Sequence, residues 1–361
     1  MAPIRSTIGR SVGKLLNTFR DRDLSLDSSV RTARKPPLSA SGGTVTAAGI
    51  TPGNGYKYHV FTSPGTFTVD SGEGEIEYLV VAGGGTAGVN GAGGGAGGLR
   101  TNVSGNSKAG AALPISPGSY TITVGSPGVA AASLPGPGTP GPTGNGGYSA
   151  FDDGGASQIR SEGGGCGGSP GGVGRPGGSG GGGSGFPSSV ATAGGFGNQP
   201  PTSPSQGNDG GVGCTNCPYP GPGGYAAGGG GGAGNTGGNA GPGDAGDGAP
   251  GHPIPAFSAP LIQPEIPAPN WSAFSSAVGP TGLYAGGGGG GGYGGVSTPG
   301  TGGPGGGGAG GVQNGSSFAP GQNGTTYTGG GGGGAVSHLP QDGGGTPGVG
   351  GSGIVIIRYL T

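Results

Sequence analysis

The chain has 361 residues, of which 107 are glycine and 35 proline, with 8% charged residues and a formal net charge of −1. Bare backbone has no side chains to bury and is the most costly backbone to order, so an ordinary side-chain core is excluded over most of the length. The low charge also argues against a charge-driven disordered chain, and no nucleic-acid partner is expected.

The N-terminal segment differs in kind from the rest. Residues 1–35 hold eight of the fourteen basic residues against three of the fifteen acids, a net of +5 that leaves the remainder at −6. Ile8, Val12, Leu15, Leu16 and Phe19 fall at helical spacing, interleaved with Arg5, Arg10, Lys14 and Arg20. This predicts a short basic amphipathic helix over residues 1–30, followed by a linker at 31–43. Three readings fit: an organellar transit peptide, a frayed basic terminus, or a docking helix. We prefer the last, with Ile8, Arg10, Val12, Lys14, Leu15, Leu16 and Phe19 as its contacts. The longest apolar run here is Leu15-Leu16, so neither a signal peptide nor a membrane span is expected.

Strand signals begin at residue 44 and run to 125. Tyr56–Thr62 and Gly65–Val69 alternate as a hairpin would around Ser63-Pro64-Gly65. Glu75–Ala82 starts with alternation, placing Glu73, Glu75 and Glu77 on the solvent face of an edge strand, and ends fully apolar. Ser119–Val124 is a further strand. Residues 351–361 close the chain with Gly353–Tyr359, its strongest β-propensity run. A terminal strand so apolar must be covered, most simply by pairing beside Tyr78–Ala82. The predicted fold class is therefore mostly β and irregular, a small strand platform holding a glycine-rich insert.

Between 126 and 350 the runs Gly228–Gly232, Gly286–Gly292 and Gly329–Gly334 dominate. Collagen needs glycine at every third residue without a break, and that register survives only at Gly138, Gly141 and Gly144. The alternative is an array of polyproline-II-like glycine helices with three residues per turn, a rise of about 3.1 Å and no internal hydrogen bonds. Their outward N–H and C=O groups must pair between segments. Each such bond contributes only about 0.5–1.5 kcal/mol, so the array needs a stiff apolar platform or oligomerisation.

Candidate chemical motifs are few. Gly83–Gly88 spells GxGxxG after a predicted strand, but Val89–Gly98 is too glycine-rich for the required helix, and the next acid after Glu77 is Asp152. Cys214-Thr215-Asn216-Cys217 could be two thiols, a local disulfide or a metal clasp, although only Cys166 and three scattered histidines, His59, His252 and His338, could complete a zinc site. Asp152-Asp153 reads as a turn. Asp209, Asp244 and Asp247 lie in Gly/Asn-rich loops without a calcium-repeat pattern. No catalytic, cofactor or metal residue is expected, and the chain does not read as an enzyme.

Two stretches break the glycine pattern, 184–226 and 249–285. The second is proline-punctuated and carries Phe257, Trp271, Phe274 and Tyr284; the first carries Phe196, Tyr219 and Tyr225. Proline stiffens such loops and aromatics supply contact area at low entropy cost, which makes Phe257, Trp271, Phe274, Tyr284 and Tyr219 candidate receptor or subunit contacts. The competing reading folds these apolar residues back as a satellite core.

Glu77–Gly85, Gly95–Thr101, Pro117–Gly125, Pro200–Gly211 and Gly350–Tyr359, in that order, resemble the glycine-rich virion proteins of tailed bacteriophages, especially marine and cyanobacterial phages. Ile8–Arg22 similarly resembles the N-terminus of phage proteins that hang from a virion. The resemblance implies a fibre, spike or decoration protein packed as polyglycine-II helices, with loops between them facing the host. It further suggests a homotrimer, other virion proteins as partners, and a cell-surface glycan or outer-membrane protein as receptor.

Overall fold

The computed structural model describes residues 36–88, 91–129, 144–185, 191–214, 225–293, 298–314, 317–335 and 345–361. The anchor segment, Cys217, Tyr219 and His338 lie outside them.

Nine strands precede the main glycine region: β1 (Ser39–Ser41), β2 (Tyr56–Phe61), β3 (Gly65–Ser71), β4 (Gly74–Val81), β5 (Leu99–Thr101), β6 (Leu113–Ile115), β7 (Gly118–Thr123), β8 (Ser149–Phe151) and β9 (Ile159–Ser161). Three two-residue ladders follow within it, formed by β10 (Tyr225–Ala226) with β13 (Gly292–Tyr293), β11 (His252–Pro253) with β12 (Leu283–Tyr284), and β14 (Gln313–Asn314) with β15 (Ser317–Phe318). The last strand is β16 (Ile354–Leu360). The strands assemble into two antiparallel sheets, one ordered β1-β3-β7-β8-β9 and the other β2-β16-β4-β5, with β6 also on β4.

The closing strand does pair beside β4, with Ile356 opposite Leu79 and Ile357 opposite Tyr78, and β2 covers its other edge. It is apolar on both faces because both faces are buried. Val355, Ile357 and Tyr359 meet Phe67, Val69, Ile122 and Phe151 of the opposing sheet. Ile354 and Ile356 face the other way, toward Phe257, Phe274, Val278 and Tyr284. The buried hydroxyls of Ser149 and Ser161 tie the two sheets together by donating to the Val81 and Val80 carbonyls at 2.7 and 2.9 Å.

Three expectations about the strands need correcting. Tyr56–Phe61 and Gly65–Ser71 are not a hairpin, because the chain changes sheets at Ser63-Pro64 and the two strands pair with different partners. Alternation alone carries no information about which sheet a strand joins. Nor is β4 an edge strand over Leu79–Val81, where β16 and β5 flank it. Glu77, opposite Arg358 of β16, forms an ion pair with it and is half-buried, while Glu73 and Glu75 are exposed as the alternation implied. Finally, β1 falls inside the stretch read as linker, where it pairs with β3.

Residues 254–285 fold as a helical cap over the second face of the β2-β16-β4-β5 sheet. Its main helix, Ala268–Val278, starts at the Pro267 N-cap with proline in its first turn and stops at Gly279, whose φ of 58° suits glycine. The satellite-core reading therefore describes this stretch.

The platform strands run on into glycine segments. In residues 93–98, the Gly93 and Ala96 N–H groups donate to Gly228 and Gly231, those of Gly94 and Gly97 to Gly332 and Gly329, and those of Gly95 and Gly98 to Gly165 and Glu162. Partners change with every residue and recur every third residue, as three residues per turn requires. Segment 286–291 shows the full pattern. Its six N–H groups reach residues 305 and 308, 249 and 246, and 94 and 91. Its six carbonyls accept from 331 and 334, 303 and 300, and 230 and 227. Six neighbouring segments surround one glycine helix, which is hexagonal packing of polyglycine-II type.

Close approach explains the glycine. A Cβ on Gly288 would press on the Gly332 carbonyl oxygen, and one on Gly334 on that of Gly91, both inside the 3.0 Å that real Cβ contacts essentially never breach. Alanine appears where the array meets side chains, as at Ala96, Ala233 and Ala285 against the cap.

Candidate functional site

Among the described residues, those singled out in the sequence lie at separate places in the fold. Phe257, Phe274 and Tyr284 are fully buried within the chain's own core, so they offer no surface to a receptor or another subunit. The Tyr284 hydroxyl donates to the Phe257 carbonyl at 2.7 Å, and burial raises its pKa. Trp271 alone of the described aromatic candidates is half-buried at the rim of the cap, against Phe274.

The GxGxxG segment is part of the array. Gly83 and Thr86 donate their N–H groups to Gly147 and Gly144, Gly84 and Ala87 to Gly351 and Gly348, and Gly85 and Gly88 to Gly95 and Ala92. A phosphate cradle needs free N–H groups, and all six here are occupied.

Cys214 is disulfide-bonded, which replaces the reading of two free thiols, whereas Cys166 is free and buried with its thiol pushed up to about 11 by desolvation. Among the described residues, no group of three or more His, Cys, Asp or Glu side chains could hold a metal ion.

The two described histidines and the buried arginine make contacts within the fold. His59 lies between Phe67 and Tyr359 with its Nδ1 2.6 Å from the Gly42 carbonyl, and burial lowers its pKa to about 4. His252 is also lowered to about 4, by burial and by nearby Lys108, and its Nε2 lies 3.0 Å from Asn106 Oδ1. Arg358 donates from Nε to Glu77 at 2.6 Å and from Nη1 to the Tyr58 hydroxyl at 3.0 Å. Burial opposes that charge, but the bonds to Tyr58 and Glu77 outweigh it and the pKa is raised. Tyr58, Arg358 and Glu77 sit opposite one another across three adjacent strands, so this cluster locks the closing strand in register.

The acids in the Gly/Asn-rich loops have a role that composition did not reveal. Asp209 Oδ1 accepts the Gly197 N–H at 2.7 Å, and Asp247 Oδ1 accepts both the N–H and the hydroxyl of Thr301 at 2.7 and 2.8 Å. Three asparagines behave alike: Asn145 takes the Cys166 N–H, Asn239 that of Val212 and Asn323 that of Val349, at 2.8–3.0 Å. Each is exposed and each is followed by Gly or Ala, a dipeptide signal that could have found them. Within Pro200–Gly211, Gln206 is fully buried, accepting the Glu162 N–H at 2.8 Å and the Leu99 N–H on its own carbonyl.

The array has two unlike ends. Gly83, Gly98, Gly125, Gly147, Gly163 and Gly353 adjoin the platform strands. At the opposite end Gly291 donates to Gly91, Ala227 to Gly291, Gly311 to Gly334 and Cys214 to Ala226. Of the exposed large apolar side chains, Val173, Phe196 and Val212 stand on adjoining outer segments.

Fold and site together define a protein built from a strand platform and an array of hydrogen-bonded glycine backbone. The chain belongs to the glycine-rich domain family, whose profile matches residues 62–360. No curated protein matches it. Among the described residues, no helix is long and apolar enough to cross a membrane.

Proposed function

We propose that this protein is a non-enzymatic component of a phage virion, of the tail fibre or spike type. It docks through its N-terminal segment and presents the far end of its glycine array to the host. The observation that carries this reading is the polarity of the array, whose segments join the platform strands at one end and carry their backbone ladder away from them to Gly291, Gly311 and Cys214 at the other. Loops on a rigid scaffold are where binding function concentrates. The +5 charge of residues 1–35 suits attachment to an acidic surface on other virion proteins. The disulfide at Cys214 suits a protein that works outside a reducing cytosol. A host glycan or outer-membrane protein is the expected receptor, and a homotrimer the expected assembly.

One observation favours a second reading, a capsid or tail decoration protein without host recognition. The aromatic residues best suited to a receptor, Phe257, Phe274 and Tyr284, are buried. Immunogold imaging of intact particles with antibody against the folded protein separates the two, paired with mass spectrometry of purified particles. Label on the tail supports the fibre, and label spread over the head supports decoration. Absence of the protein from every particle ends both.

A further inference from the structure

An outer segment of a hexagonal array has neighbours on only part of its circumference, so some of its N–H groups point out of the bundle. In a β-sheet such a row of donors at the edge recruits another chain. Four such donors are taken by side chains. The Val212 N–H goes to Asn239, that of Thr301 to Asp247, that of Val349 to Asn323, and that of Gly197 to Asp209. Three of these contacts are reciprocal. Ala240 donates to Val212, Gly248 to Thr301 and Gly324 to Val349, so the residue after each Asx feeds the carbonyl of the residue that the Asx accepts from.

A second, independent feature points the same way. Outward positions on these segments carry Cβ atoms at every third residue: Asp209 and Val212, Asp244 and Asp247, Thr298 and Thr301, all exposed. Inside the array a Cβ at the equivalent place would strike a neighbouring carbonyl.

We propose that these Asx side chains, together with the outward Cβ rows, terminate the array laterally. The surface they close is one that a glycine segment from a second copy of this chain would otherwise extend. This lateral closure belongs to the described outer segments and does not depend on a virion role.

The test uses the full chain with Asp209, Asn239, Asp247 and Asn323 all changed to alanine and Val212→Gly and Thr301→Gly added. The control carries Asp209→Asn, Asn239→Asp, Asp247→Asn and Asn323→Asp, which keep an acceptor oxygen in place. Light scattering across a hundredfold concentration series reads the outcome, and circular dichroism confirms folding. Termination predicts that the alanine–glycine variant at least doubles its mass with concentration while parent and control do not. A folded variant whose mass follows the parent's throughout overturns the proposal. If that variant fails to fold, the single changes Asn239→Ala and Asp247→Ala carry the same test. Amide exchange on the parent supplies a check that needs no variant. Val212, Thr301 and Val349 should exchange on the order of tenfold more slowly than an unstructured peptide, and unprotected amides there overturn the assignment.

Discussion

The sheet platform and the glycine array are both close-packed, but by opposite means. In the platform, side chains fill the space between backbones: Phe67, Phe151 and Tyr359 between the sheets, and Phe257 and Phe274 under the cap. In the array the backbones fill the space themselves, and a side chain at an interior position has nowhere to go. Large-to-small changes should therefore damage the first region and small-to-large changes the second. The difference also explains why the chain needs both. Backbone hydrogen bonds barely offset the entropy of ordering glycine, so the apolar burial of the platform and cap has to stabilise the array.

The largest effect should come from Gly288→Val. Its side chain would collide with the Gly332 carbonyl in a fully surrounded segment. We expect a loss above about 4–5 kcal/mol, seen as absence of a cooperative thermal transition. A soluble variant with an unchanged midpoint would sink the packing model. Phe257→Ala, at a site of 0% exposure, should cost about 3–5 kcal/mol in urea unfolding. A loss under about 1 kcal/mol would mean the cap is not part of the cooperative core.

Glu77→Leu leaves Arg358 charged and without its carboxylate. We expect a loss of about 2 kcal/mol, below the value for a fully buried pair because Glu77 keeps some exposure. Glu77→Gln should recover part of it, which a purely steric role would not predict.

The pH dependence follows from His59. Its folded pKa of about 4 lies below the unfolded 6.5, so between these values the unfolded chain binds more protons. Stability present above pH 6.5 should decline as pH falls toward 4, by on the order of 2 kcal/mol. His252 adds to the same trend. Thermal midpoints of the parent and His59→Phe across that window check this, and the slope should flatten in the variant. The smallest effect should be Gly241→Ala, where an added Cβ meets nothing within 4 Å and its φ is not in the left-handed region. A stability loss beyond about 0.5 kcal/mol there would show that this position is held more tightly than its open surroundings imply.

Long strands with strong β-propensity were legible. Tyr56–Phe61, Gly65–Ser71, Gly74–Val81, Gly118–Thr123 and Ile354–Leu360 lie within a residue or two of where alternation and apolar runs put them. The three-residue strands β5, β6, β8 and β9 were not, because three residues cannot display a period. The Ala268–Val278 helix was missed although Pro269 in its first turn and Gly279 at its end announce it, since so many prolines nearby read as loop. The candidate contacts failed for a different reason. Aromatic residues in a stiff loop are equally good anchors for a partner and for the chain's own sheet, and only the uncovered face of Ile354 and Ile356 decides between them.

By itself, the sequence determined the mode of packing, because a tract without Cβ atoms can be ordered only by backbone contacts, and it marked the strands that would hold the tract. The tertiary structure decided which glycine segment lies beside which, which end of the array is closed, and which side chains became caps or core. The physical reason is that glycine segments are chemically alike. Nothing in Gly286–Gly292 distinguishes its six neighbours, so their order comes from the strands and turns at the segment ends and from Asx caps whose partners are far away along the chain.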